Sequence, residues 1–256
     1  MTGASSGIGA AYAERLAGDG WDVIVVARRR DRLEAFSERF GQDVEVQVVE
    51  ADLATTPGLE AVTDVAATVP IDLLVNNAGL AHYMPFSELA ASSAAELVDL
   101  NVLAPVLLSR AVLPGMIERG SGAVVNLASL LAFSGGWDNP HLPSRAVYAG
   151  SRSFVLTFTQ LLAAELAGTG VRVQALCPGV VRTEFHSRQG MDLSGRPRME
   201  PEDVVTASLV DLDRGVVVSI PGLDDLGRFE SILAAHARLA PVTTETSLPA
   251  RYTEGS

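Results

Sequence analysis

The chain has 256 residues, 48% of them hydrophobic, and its 19 basic and 31 acidic residues give a formal charge of −12. This length and apolar content suit one domain with a large core and exclude a disordered chain, and the acidity argues against a nucleic-acid or anionic-membrane partner. Cys177 is the only cysteine, which excludes an intrachain disulfide and a cysteine metal site, and no apolar run reaches the roughly 20 residues of a membrane helix.

The chain opens inside a glycine-rich turn. Thr2–Gly9 reads TGASSGIG with only Met1 ahead of it. Such a turn normally follows a buried strand and opens a helix. The helix is there, since Ile8, Tyr12 and Leu16 recur at near-helical spacing before Gly18 and Gly20. The strand is not. The sequence therefore predicts either a central sheet without its first strand, with two exposed inner edges and a hole in the core, or a natural start several residues upstream. Within the GxxxGxG spacing, Gly3 suits the tight turn, Gly7 a close approach to a pyrophosphate and Gly9 close packing of the helix on the sheet. Phosphates would sit at the helix N-terminus, where free N–H groups and the dipole favour anions. A glycine turn alone is a weak signal, equally read as only a turn. No basic region and apolar stretch marks a signal peptide, so a cytoplasmic location is expected.

Further along, short apolar runs alternate with helical stretches. The strand-like runs are Asp22–Ala27, Val44–Glu50, Ile71–Val75, Ala123–Leu127, Val171–Leu176 and Val216–Ile220. Helical segments fall near 7–18, 30–40, 57–68, 92–118, 144–168 and 201–212, with a last amphipathic stretch over 223–239. Continuous apolar strands alternating with helices predict an α/β, Rossmann-like, doubly wound parallel sheet with right-handed crossovers. We read one domain over 1–241 and a polar, frayed tail over 242–256. The four histidines, His82, His141, His186 and His236, lack metal-ligand spacing and are read as non-metal.

Seven motifs in order resemble the short-chain dehydrogenase/reductase family over nearly the full length. They are Thr2–Gly9, Asp52 (in ADL), Asn76–Gly79 (NNAG), Asn101 (in LNV), Ser129 (in VVNLAS), Tyr148–Arg152 (YAGSR) and Pro178–Thr183 (PGVVRT). The resemblance implies a nicotinamide dinucleotide held by Gly3, Ser5, Ser6, Gly7, Ile8 and Gly9, by Asp52 and Leu53, by Asn77, Ala78 and Gly79, by Tyr148 and Arg152, and by Pro178, Gly179, Val181 and Thr183. Asp52 would accept from the adenine amino group, or cap a helix. Thr183 would hold the nicotinamide carboxamide, with a helix cap as the plainer reading.

Cofactor choice is read at the end of the second strand. An acidic residue there would bind the ribose 2′-hydroxyl and favour NAD. Here VIVVA runs into Arg28, Arg29 and Arg30, and guanidinium groups suit bidentate phosphate binding. The expectation is NADP(H) rather than NAD(H), with Arg28 and Arg29 as the contacts. The plainer reading is a solvated helix start, with Asp31 neutralising part of the cluster.

The implied chemistry is hydride transfer between nicotinamide and a small-molecule carbonyl or alcohol. Tyr148 would be the acid/base, Ser129 would hydrogen-bond the reacting oxygen, and Asn101 would hold a water in a proton relay. Free tyrosine titrates near 10, and a nearby cation lowers it. The family supplies a lysine four residues on, on the same helix face. Here position 152 is arginine, which keeps the charge but not the geometry and cannot release a proton. A second class therefore stays open: an impaired nucleotide-binding or scaffold protein.

Ser129 precedes Tyr148 by 19 residues, more than is usual in the family, which makes Ser134 a rival by spacing. Ser129 fits its surroundings better, and the extra residues fall in the loop-like SGGWDNPHLPSRAV. That loop, with Trp137, Asp138, Asn139 and His141, would border the pocket. His82, Tyr83, Met84, Phe86, Trp137 and Phe185 would line it and suit a largely apolar substrate. His186 reads more readily as a surface histidine than as pocket lining. Stretches 92–118 and 144–168 are apolar over more than one face and predict a homodimer or homotetramer.

Overall fold

The computed structural model describes residues 1–139, 142–225 and 227–252. Each strand-like run contains a strand. β1 (Val23–Ala27) pairs in parallel with β2 (Val46–Glu50), while β3 (Leu73–Asn76), β4 (Gly122–Leu127), β5 (Val171–Leu176) and β6 (Val218–Ser219) form a second parallel group in that order. The registers Val25↔Val48, Val75↔Val125 and Val124↔Val173 stack β-branched residues across neighbouring strands. Such residues fit a pleated surface covered on both sides.

Helices cover both faces. On one side lie α1 (Gly7–Gly18), α2 (Arg30–Phe40) and α8 (Pro201–Asp213), whose Tyr12, Leu33 and Val204 enter one core. On the other lie α3 (Thr56–Thr68), α5 (Ala104–Arg119) and α6 (Ala146–Glu165), which send Val62, Leu108 and Leu162 into a second core. Buried polar ladders cross these interfaces. Tyr12 donates to Ser208, and Ser208 to the Gln174 side-chain oxygen. Asn76 donates to Asn126 at 2.8 Å, and Asn126 to Thr159 at 3.0 Å. Asn76 thus faces the core, while its neighbours Asn77 to Gly79 face the site.

The sheet is split where the first strand was expected to be missing. The expected open gap is corrected in one respect, because Met1 and Thr2 close its upper end. The Met1 carbonyl accepts from Val26 N at 2.9 Å, and Thr2 N donates to the Val75 carbonyl at 3.0 Å. Thr2 and Val26 form an isolated parallel bridge. Val26 and Val75 are buried beside it. Two residues with strand geometry suffice to join the half-sheets at the level of the glycine turn.

The long helix expected over 92–118 is three segments: α4 (Ala91–Val98), a π turn at Asp99–Leu103, and α5. The cause is Pro105, which has no N–H for the carbonyl of Asn101 four residues earlier and crowds it, so the ladder widens. By length and composition alone the stretch Ala91–Arg119, in which an 18-residue window reaches a mean hydropathy of 1.6, matches a membrane-crossing helix. This corrects the expectation that no run is long enough. Leu97, Leu108, Val112 and Met116 are buried within the protein. The helix α7 (Glu184–Ser187) and the 3₁₀ segments Phe86–Glu88 and Leu130–Gly136 were not read from the sequence. Contacts group Met1–Pro221 as one unit and Gly222–Ser256 as another, and the latter carries α9 (Gly227–Ala237).

Gly9 corrects its expected role. A Cβ there would clash with the Gly3 carbonyl and Asn77 Nδ2, so the residue closes the turn on itself as much as it packs α1 on the sheet. Gly18, at the end of the same helix, has open space around it. Gly9→Ala should cost about 1–3 kcal/mol of stability through overpacking, whereas Gly18→Ala should be neutral or mildly stabilising. Urea denaturation reads both, and equal effects would contradict this packing.

Candidate active site

The sheet delivers its loops to one cleft of about 670 Å³ at the C-terminal ends of the strands, where open α/β sheets bind ligands. The loops after β1, β2, β3, β4 and β5 bring in Arg28 and Arg29, Asp52 and Leu53, Asn77 to Gly79, Ser129, and Pro178 to Thr183. Gly3, Ser5, Ser6, Gly7 and Ile8 form the floor, and Tyr148 and Arg152 stand on the wall from α6. Gly9 and Asn101 lie behind these lining residues.

The glycine turn is built to come close to its neighbours. Gly3 (φ +67°) and Gly7 (φ +58°) adopt left-handed conformations. A Cβ on Gly7 would lie 2.9 Å from the Thr183 methyl. Thr2 Oγ1 accepts from the amides of Asn77 and Ala78, both at 3.0 Å, which locks the NNAG segment to the turn. Ser6 caps α1 without a side-chain bond, so the first-turn amides keep their donors for an incoming anion.

Arg29 closes over this turn. It donates from Nε and Nη2 to Ser5 Oγ at 3.1 and 2.8 Å, from Nη2 to Ser6 Oγ at 2.8 Å, and from Nη1 to Glu184 at 3.0 Å. Arg32, which the sequence reading did not single out, reaches the same carboxylate at 2.7 Å, and Arg188 joins it. The Arg32 and Arg29 hydrogen bonds hold the Glu184 carboxyl down at about 2. The acid that faces Arg29 is therefore Glu184 and not Asp31, because α7 brings a distant segment across the turn, while Arg30 pairs with Glu34 and Glu50. Arg28 lies 3.6 Å from Asp52. The capping alternative for Asp52 is corrected: its Oδ1 accepts from Ala54 N in a local turn, and Thr55 caps α3. Thr183 caps α7 by accepting from Phe185 N at 3.2 Å, and it still lines the cleft.

Around the reacting end, Ser129 Oγ accepts from Leu131 N at 3.1 Å, which leaves its O–H to donate elsewhere. Ser134 is turned away, accepting from Arg145 Nε and donating to the Leu131 carbonyl. Tyr148 is buried, with the Tyr83 ring edge-on at 5.6 Å and Phe185 at 5.9 Å. Burial, followed by the neighbouring Tyr148, pushes the Tyr83 hydroxyl above its ordinary value. Arg152 is buried with its Cζ 5.1 Å from the Tyr148 ring centroid. Its Nη1 donates to the Leu127 carbonyl at 2.7 Å, and its buried Nε has no protein partner. Asn101, fixed in the π turn, brackets Leu80: its Oδ1 accepts from Leu80 N at 3.0 Å and its Nδ2 donates to Leu80 O at 2.9 Å. Cys177 is sealed beneath the site, and burial pushes its thiol up to about 12.

Several pocket expectations are revised. Tyr83, Trp137 and Phe185 line the cleft; His82, Met84 and Phe86 do not, and Phe86 projects into solvent. His186 does line it, stacked 6.4 Å from Tyr83, and burial lowers its pKa. Of the inserted loop, Trp137, Leu142 and Pro143 reach the cleft, Asp138 and Asn139 stand outside the lining, and His141 lies outside the described residues.

Free helix amides, left-handed glycines, guanidinium groups beside serine hydroxyls and an unpartnered buried Nε fit a nicotinamide dinucleotide. Fold and site together define a dinucleotide-binding α/β protein with a phenol and a serine on one cleft wall. The family described as short chain dehydrogenase matches residues 1–193. Sulfoacetaldehyde reductase 2 of Chromohalobacter salexigens is 39% identical over 189 residues, 72% of this chain and 73% of its own. Among solved structures, a short-chain dehydrogenase from Sphingobium yanoikuyae in complex with NADPH superposes with a TM-score of 0.92 at 36% identity, covering 98% of each chain. The bulky-bulky ketone specific alcohol dehydrogenase from Comamonas testosteroni gives 0.87 at 32%, covering 98% of this chain and 96% of that one. The chain belongs to the short-chain dehydrogenase/reductase family and is an oxidoreductase of that family.

The Glu184 cluster has a pH signature. Its carboxyl titrates at about 2, below its ordinary 4.5. The stability it contributes is complete above about 4.5 and is lost as pH falls toward 2. Melting temperatures taken from pH 6 to 3 should fall less steeply for Glu184→Gln than for the parent; parallel curves would contradict the assignment.

Proposed function

We propose that this chain interconverts a carbonyl and an alcohol on a small, largely apolar substrate, using NADP(H) in preference to NAD(H). The observation that carries this reading is the buried Tyr148, which shares the cleft wall with Ser129 and has the Arg152 guanidinium carbon 5.1 Å from its ring centroid. The nicotinamide, when bound, supplies or takes the hydride. Ser129, with its lone pair engaged by Leu131 N, donates its hydroxyl proton to the reacting oxygen. Tyr148 donates a proton to the same oxygen as negative charge develops on it, and takes one back in the oxidising direction. Arg152 stabilises the resulting phenolate by its charge but passes no proton itself, so the relay has to run through another group. Asn101 supports this wall by fixing Leu80. Leu80, Tyr83, Leu131, Trp137 and Phe185 exclude water and favour an apolar substituent.

Arg28 and Arg29 are the proposed readers of the ribose 2′-phosphate. The presence of NADPH in the Sphingobium yanoikuyae relative supports this choice. A second reading, a nucleotide-binding protein with impaired turnover, is favoured by Arg152 alone, whose Nη1 is tied to Leu127 and whose Nε is unpaired. Tyr148→Phe should lower carbonyl-dependent NADPH oxidation by about 10²–10⁴-fold with cofactor binding retained. Arg152→Lys should raise turnover by restoring a titratable cation. Turnover that survives in Tyr148→Phe would refute the role given to Tyr148, and binding without turnover in every variant would favour the second reading.

The helices also present apolar side chains outward: Val98, Leu103 and Leu107 on α4–α5, and Phe154 and Leu161 on α6. We propose that these faces pair two or four copies of the chain. Light scattering should give a multiple of the 26.9 kDa chain mass, reduced in Leu161→Glu; a monomer at micromolar concentration would contradict it.

A further inference from the structure

Arg29 does not stand free at the end of β1. Its Nη1 is spent on Glu184 Oε2 at 3.0 Å, while Arg32 Nη1 holds Glu184 Oε1 at 2.7 Å. The two oxygens of one carboxylate are thus shared between two guanidinium groups, with Arg188 as a third donor. The same two arginines reach Ser5, whose backbone carbonyl accepts from both. A phosphate dianion brought against Arg29 and Ser5 would seek the donors that Glu184 already occupies, since carboxylates and phosphates recognise guanidinium forks by the same bidentate geometry.

We infer that Glu184 is a specificity-determining residue that competes with the ribose 2′-phosphate for Arg29 and Arg32, and so weakens this chain's preference for NADP(H) over NAD(H). The inference rests on the reading of Arg29 as a 2′-phosphate contact. Glu184 acts through the arginines and is a positioning residue. It reaches them because Thr183 ends the loop after β5 against Gly7, and α7 then points its first residue back across the glycine turn. NADH carries no 2′-phosphate, so its binding does not require the Arg29–Glu184 pair to open. The carboxylate therefore taxes one cofactor and spares the other. The pair is partly exposed, at 29% for the Arg29 side chain and 40% for Glu184. Ion pairs at such exposure are individually weak, so the effect tunes the preference and does not switch it.

The test is fluorescence titration of the full chain with NADPH and with NADH, for the parent, Glu184→Gln, Glu184→Ala and Arg29→Ala. Both Glu184 variants should bind NADPH about two- to fivefold more tightly at low salt and NADH as the parent does, so that the ratio of the two affinities shifts. The shift should shrink as salt is raised. A merely structural role for Glu184 would move both affinities together. Unchanged or weaker NADPH binding in both variants, or equal tightening toward both cofactors, overturns the inference. Arg29→Ala separates the two levels. If it weakens NADPH binding while the Glu184 variants do nothing, this inference alone falls. If it leaves NADPH binding untouched, the reading of Arg29 falls as well, and the inference with it.

Discussion

The side chain of Thr2 holds the site together. Its hydroxyl oxygen accepts from the amides of Asn77 and Ala78, while its backbone donates across the break in the sheet to Val75. The half-sheet of β1–β2, the half-sheet of β3–β6, the glycine turn and the NNAG segment all meet at this buried residue. Two residues of strand geometry do locally what a full central strand does along its length. They fix the relative height of β1 and β3, and with it the positions of Arg28 and Arg29 against Asn77 to Gly79. Among the described residues no strand lies between the lower parts of β1 and β3, and there Ile24 and Leu73 are only half-buried.

The electrostatics follow the same logic of distant segments converging. A chain with a charge of −12 concentrates three arginines around one carboxylate at the mouth of its cleft. That local reversal of sign suits an anionic ligand, because clefts focus field lines whatever the net charge outside. At the other end of the cleft the cation beside the phenol is the buried Arg152, which lies over the Tyr148 ring and donates to the Leu127 carbonyl. Its unpaired Nε is costly to bury, and such a cost is tolerated most readily where a ligand completes the hydrogen bonding.

Much of this was legible in the sequence because it is written in local pattern. Parallel strands read as continuous apolar runs, and VIVVA, AVVNL and VRVQAL became β1, β4 and β5 nearly to the residue. The cleft-lining positions at the strand ends were legible because small residues there mark close approach. What was missed depends on contacts between remote segments. Nothing near Arg29 announces Glu184, 155 residues away. The π turn was hidden because Pro105 reads as an ordinary first-turn proline until the helix before it is seen to be continuous. Adjacency to NNAG suggests His82, Met84 and Phe86 as pocket lining, yet the segment turns outward after Tyr83 and exposes Met84 and Phe86, while His82 is half-buried outside the cleft lining. His186 erred the other way, since the brevity of α7 concealed how far it folds over the cleft.

The lone thiol gives the molecule a private reporter. Cys177 directly follows β5, fully enclosed, just ahead of the Pro178–Thr183 loop. With its pKa at about 12 it is almost wholly protonated near neutral pH, and a protonated, enclosed thiol is inert toward alkylating reagents. It becomes reactive only when the chain around the end of β5, beneath the cleft, opens. The rate of its capture therefore times the breathing of the central sheet, and a dinucleotide that tightens the sheet would slow that clock without a single reporter group being introduced.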